Sequence, residues 1–108
     1  MNKKELIKLC LNFDDAIDSY PFGEEHIVLR HKSNNKWFGL IFHLNKKLCI
    51  NLKCNPIDSV FLREEYKSIY PAWHMNKTHW NTIEVNNISK DLLDSLIKMS
   101  FDLTKPKK

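Results

Sequence analysis

Hydrophobic positions recur along this chain with two different periods, and the switches between them outline its elements. Leu6, Leu9, Cys10 and Phe13 fall at helical spacing, so an amphipathic helix is expected over residues 2–11. Asp14, Asp15, Asp18, Glu24 and Glu25 then surround Tyr20-Pro21-Phe22-Gly23, and the Pro and Gly predict an acidic connector with no regular element. From His26 to Lys53 the period drops to two. Ile27 and Leu29, then Phe38, Leu40 and Phe42, then Leu48, Ile50 and Leu52 alternate with other side chains. The breaks, Ser33-Asn34-Asn35 and Asn45-Lys46, use Asn, which tolerates the positive φ of tight hairpin turns, so a meander of three antiparallel strands is predicted. In the middle strand Trp37, Gly39 and Ile41 line the alternate face. That strand is expected to be covered on both sides or to leave one aromatic face partly open.

Asn55-Pro56-Ile57-Asp58 reads as a helix start, with Asn55 as the cap, Pro56 at the first helical position and an acid in the first turn. The helix should reach about Tyr66 and bury Ile57, Phe61 and Leu62. Residues His79 to Val85 alternate like a strand, and Ser89 caps a last helix with Leu92, Leu93, Leu96, Ile97, Phe101 and Leu103 as its apolar stripe. The order α-β-β-β-α-β(β)-α predicts an α+β fold, an antiparallel sheet packed against helices. At 108 residues the chain makes one domain over 1–108, with a basic tail at 105–108.

Composition narrows the class. With 43% hydrophobic and 28% charged residues the chain is ordinary globular material. A net charge of +4 biases it toward anionic partners. Of the 17 basic residues only Arg30 and Arg63 are arginines, whereas a surface that reads bases more often uses Arg. The start carries charges but no apolar stretch of signal length, and no window approaches a membrane span, so a cytoplasmic protein with no membrane partner is expected. Cys10, Cys49 and Cys54 are odd in number and sparse, which agrees with a reducing compartment.

The run from Tyr70 to Asn81 stands apart. It holds Trp73 and Trp80, His74 and His79, Asn76 and Asn81, Lys77 and Thr78, with Met75 its one free-standing aliphatic. Indoles supply apolar faces while Asn, His, Thr and Lys supply directional donors and charge, the mixture of a recognition surface. With Asn51-Leu52-Lys53-Cys54-Asn55-Pro56 and Tyr20-Pro21-Phe22-Gly23, this run resembles the MmcQ/YjbR-like family of small bacterial proteins over nearly the whole chain. Its most specific part is His74 to Asn81; at Trp73 relatives often carry another aromatic or a smaller residue. The resemblance implies a frataxin-like (CyaY-like) α+β fold and a DNA-binding role, and it brings no enzymatic activity.

On that reading Lys53 and Lys77, with Lys67 and Arg63 nearby, meet phosphates. Asn76 and Asn81 bond base edges or sugar, His74 and His79 complete the polar set, and Trp80 or Trp73 stacks on a base. The bland alternative packs Trp80 under a helix while His79 and Asn81 face water. A second function class is a module that docks a protein or small ligand on the aromatic sheet face, with Trp37 and Phe42.

Metal and catalytic readings have less behind them. Cys49 and Cys54, like His74 and His79, stand five positions apart, which loosely echoes a zinc pattern. On a continuous strand that spacing sends the two thiols to opposite faces, and a helix separates them from the histidines, so no metal or other cofactor is expected. Frataxin-like folds hold iron weakly on surface carboxylates, and the acidic connector imitates such a patch, but charge runs are usually solvated faces. Gly23 and Gly39 are the only glycines, which excludes a Gly-rich phosphate loop, and no nucleophile elbow is present, so a non-enzymatic protein is expected.

Overall fold

The computed structural model describes residues 1–72 and 75–107. Helix α1 (Lys3–Cys10) starts at a capping box in which the Asn2 side chain accepts from the Glu5 N–H at 2.9 Å and Glu5 accepts from the Asn2 N–H at 3.0 Å. Strands β1 (Ala16–Ser19), β2 (Ile27–His31), β3 (Trp37–Leu44) and β4 (Lys47–Lys53) follow, then α2 (Pro56–Glu65), β5 (Ile69–Pro71), β6 (Trp80–Glu84), a short 3-10 turn and α3 (Lys90–Thr104). Together they form an α+β fold with one six-stranded sheet in the order β1-β2-β3-β4-β6-β5, every neighbouring pair antiparallel.

The predicted meander is present. Its tight hairpin turns on Asn45 and Lys46, both at positive φ (51° and 67°), and the preceding turn places Asn35 at φ 60°. Positive φ at both central positions suits the right-handed twist of the flanking strands, and Asn tolerates it better than a branched residue.

Four expectations are corrected. The acidic connector contains β1, whose four residues are all half-buried at the sheet edge, too weak a pattern for periodicity to reveal. Ile57 and Phe61 do not pack inward: they are 70% and 67% exposed, and α2 instead turns Ser59 and half-buried Leu62 toward the sheet. Leu103 lies outside the buried stripe of α3 and is exposed. The fourth concerns β3. Leu29 pairs with Gly39 but Arg30 pairs with Trp37, so Phe38 is an extra residue in the ladder. This bulge lets Phe38 join Gly39 and Ile41 on the core side, and it moves Trp37 to the side of Leu40 and Phe42.

The helices all lie on one side of the sheet. Leu6 and Cys10 of α1 and Leu93, Leu96 and Ile97 of α3 meet Ile27, Leu29, Ile41, Ile50, Leu52, Ile69 and Ile83 in a single core. Burial at about 25 cal/mol per Å² of apolar surface is what holds these layers together. Near its rim, buried His31 stacks on Phe101 at 4.2 Å between ring centres, and its Nε2 lies 2.8 Å from the Thr104 hydroxyl. That hydroxyl donates to the Ser100 carbonyl at 2.8 Å, so His31 Nε2 is assigned as the donor, and the ring ties β2 to the end of α3.

Candidate binding face

No described helix covers the opposite face of the sheet. By register it carries Ile17 and Ser19 of β1, Val28 and Arg30 of β2, Trp37, Leu40 and Phe42 of β3, Cys49, Asn51 and Lys53 of β4, Trp80, Thr82 and Glu84 of β6, and Tyr70 of β5. Its two halves differ. Toward β1 it is apolar and aromatic: Phe22, 61% exposed, packs edge-on to Trp37 at 6.0 Å, and His26 stacks parallel to Phe42 at 6.3 Å. Toward β5 it is polar and internally bonded. Thr82 donates to Asn51, whose amide points to the Met75 sulfur at 3.3 Å, and Glu84 accepts from Tyr70 (3.1 Å), Asn87 (2.9 Å) and Lys47 (3.5 Å).

One row across this face alternates cation and indole. Arg30 and Trp37 are cross-strand partners, Trp37 and Lys53 both lie one place beyond the Gly39–Leu52 pair, and Lys53 is the partner of Trp80. The order across β2, β3, β4 and β6 is therefore Arg30, Trp37, Lys53, Trp80. A single hydroxyl of α3 holds its centre. Ser100 accepts from the Lys53 N–H at 2.8 Å and donates to the Phe38 carbonyl at 2.6 Å, joining the two strands at the bulge. Were the strand to alternate regularly through Phe38 instead of bulging, Trp37 would point into the core with Gly39 and the row would be broken.

The sequence-predicted residues divide. Lys53 and Trp80 sit side by side in the row, both half-buried. Asn81 is 2% exposed on the helix side, where it donates to Ser59 Oγ at 3.1 Å and accepts from Arg63 Nε at 2.7 Å. The bland reading thus had the strand's phase reversed, with Trp80 away from the helices and Asn81 beneath one. Arg63 is further engaged with the carbonyls of Lys77 and Trp80. Asn76 forms the turn into β6: its side chain accepts from the Thr78 N–H at 3.0 Å and its carbonyl from His79 and Trp80 at 3.1 and 2.9 Å. Lys77 is exposed on that turn, while half-buried His79 accepts from the Cys54 N–H at 2.7 Å through its carbonyl. Trp73 and His74 lie outside the described residues.

Arg30 was missed. Its phase in β2, opposite to Ile27 and Leu29, marks it as off the core; its pairing with Trp37 depends on the bulge, which no periodicity announces.

Burial pushes the Cys49 thiol up, as it does Cys54, and burial together with the Glu84 acceptor raises the Tyr70 phenol. Burial also acts to raise Glu84, but hydrogen bonds from Asn87 and Tyr70 and the charge of Lys47 outweigh it and leave the carboxyl below its usual range. Among the described residues no group of three or more His, Cys, Asp or Glu is arranged to hold a metal ion. No described helix is long and apolar enough to cross a membrane.

These features define an α+β domain with helices on one face of an antiparallel sheet and a mixed aromatic and cationic surface on the other. The chain belongs to the YjbR family, whose model matches residues 11–103. It is 38% identical over 99 residues to the uncharacterised protein YyaQ of Bacillus subtilis, covering 82% of this chain and 80% of that one. To the uncharacterised protein YbdF of Escherichia coli it is 40% identical over 85 residues, covering 78% of this chain and 68% of YbdF. A crystal structure of a Pseudomonas syringae protein superposes with a TM-score of 0.85 at 32% identity, over 97% of this chain and all (100%) of the other.

Proposed function

We propose that this protein binds single-stranded DNA, without catalysis, on the helix-free face of its sheet. The observation that carries the reading is the row Arg30, Trp37, Lys53, Trp80. Indoles offer stacking surfaces to unpaired bases, and the cations between them meet the phosphates. Trp37 and Trp80 stand two strands apart, roughly 10 Å, a span a flexible single strand can follow. Duplex DNA fits less well, because its bases are already stacked and α2, the helix with the most exposed apolar surface, presents Asp58, Glu64 and Glu65. Lys77, on the turn beside the row, extends the positive field. The frataxin-like view of the fold belongs to the same proposal, as does a cytoplasmic location, which suits three buried, unpaired thiols.

Anisotropy of a labelled oligothymidylate is the test. Single strand binds more tightly than duplex of equal length, Trp37→Leu and Trp80→Leu each cost about 1–3 kcal/mol with the circular dichroism spectrum unchanged, and log affinity falls against log salt by about 0.7 per phosphate neutralised. A salt-independent signal, or equal affinity after both indoles are removed, sinks the reading. Exposed Phe22 beside Trp37 supports a second reading, a protein partner docked on the same aromatic patch. Absence of oligonucleotide binding would favour it.

A further inference from the structure

Resting on the reading above, we infer that Arg30 and Trp37 form a nucleotide subsite in which the guanidinium takes a phosphate and the indole takes the attached base. Of the two arginines, Arg63 is consumed by Asn81 and two carbonyls. Arg30 has no such employment: among the described residues it joins no ion pair, and its Nε is buried with no hydrogen-bond partner. A buried guanidinium N–H left unpaired is costly to folding. The side chain lies on the helix-free face, between Ile17 on one side and Trp37 on the other. On the same face the Ser19 hydroxyl is also buried and unpaired. The planar fork of Arg matches two phosphate oxygens at once, which Lys cannot do. Its cross-strand partner Trp37, with Phe22 packed against it at 6.0 Å between ring centres, is the aromatic ring offered to a base. The ligand class is an aromatic base carrying a phosphate; neither half alone satisfies both residues.

Competition against labelled oligothymidylate, with thymidine 5′-monophosphate, thymidine and inorganic phosphate as competitors, reads this out. The monophosphate should compete at least about tenfold better than either fragment. Arg30→Met should erase its advantage over thymidine and Trp37→Leu its advantage over phosphate. Arg30→Lys, which keeps the charge but not the fork, should retain part of the advantage. Because Arg30→Met removes an unsatisfied donor, its melting temperature should equal or exceed the wild type. No gap between monophosphate and thymidine, or a gap that survives Arg30→Met or is undiminished in Arg30→Lys, overturns the inference.

Direct titration of indole emission with the monophosphate separates this inference from the broader one. Oligonucleotide binding indifferent to Arg30 leaves the platform standing without the subsite. Arg30-dependent saturation by monophosphate, with no gain for the oligonucleotide, leaves the subsite without the platform. Failure of both probes removes both.

Discussion

Asn81 and Asp15 both spend their polar side chains on bonds within the protein. Asn81 joins Ser59 and Arg63 beneath α2, so Asn81→Ala strands a hydroxyl and a guanidinium N–H in a buried setting. A loss of about 1–3 kcal/mol is expected, seen as a lower urea midpoint with unchanged slope. Asp15 accepts from the Ser33 hydroxyl and N–H and faces His31 Nδ1 at 3.4 Å; the Ser33 hydroxyl is the main reason its carboxyl is held below the usual range. A depressed carboxyl contributes stability that is present above the unfolded value, about 3.9, and is lost as pH falls through the folded one. Ser33→Ala should therefore lower the urea midpoint near neutrality and flatten its decline on acidification. An acid limb as steep as the wild type's would exclude this role for Asp15.

At the scale of elements the decisive feature is the bulge in β3. Ser100 spans it, and Ser100→Ala leaves the Lys53 N–H and the Phe38 carbonyl unpaired at a fully buried position. A cost of about 1–3 kcal/mol is expected. The same change should weaken oligonucleotide binding, because Trp37 and Lys53 lose the tie that keeps them in one row; wild-type affinity in the folded variant would separate the bulge from the site. Helices α1, α2 and α3 and the strands of the meander were legible in sequence because caps and periods are local signals. Three features were not. β1 is an edge strand whose four residues are all half-buried, so its alternation is faint. The inward face of α2 is set by Ser59 and Leu62, whereas hydrophobicity alone points to Ile57 and Phe61. And the bulge is one unpaired residue, Phe38, invisible to any average over a window.

For the whole molecule, the layering makes a prediction about its thiols. Cys10 is fully buried in the core and its thiol is pushed up to about 12 by burial, while Cys49 and Cys54 are buried and raised for the same reason. The folded protein should be inert to Ellman's reagent at pH 8, and all three thiols should appear together on unfolding. Prompt reaction of Cys49 in native buffer would mean that the helix-free face opens far more readily than its packing implies.

The amino-acid sequence by itself determined the class of fold, the three helices and the caps of the second and third, the meander and its Asn turns, and the family signature in the run from Tyr70 to Asn81. All of these depend on neighbours within a few positions. Tertiary structure decided where the described residues of that run went. Asn81 and Asn76 went to internal bonds, and Lys53 and Trp80 lie half-buried on the helix-free face beside Arg30 and Trp37, which are remote in sequence. The reason is physical: a strand's side chains alternate with a period of two, so a bulge at Phe38 puts Trp37 on the face opposite to the one strict alternation predicts, and no local pattern records where the bulge falls.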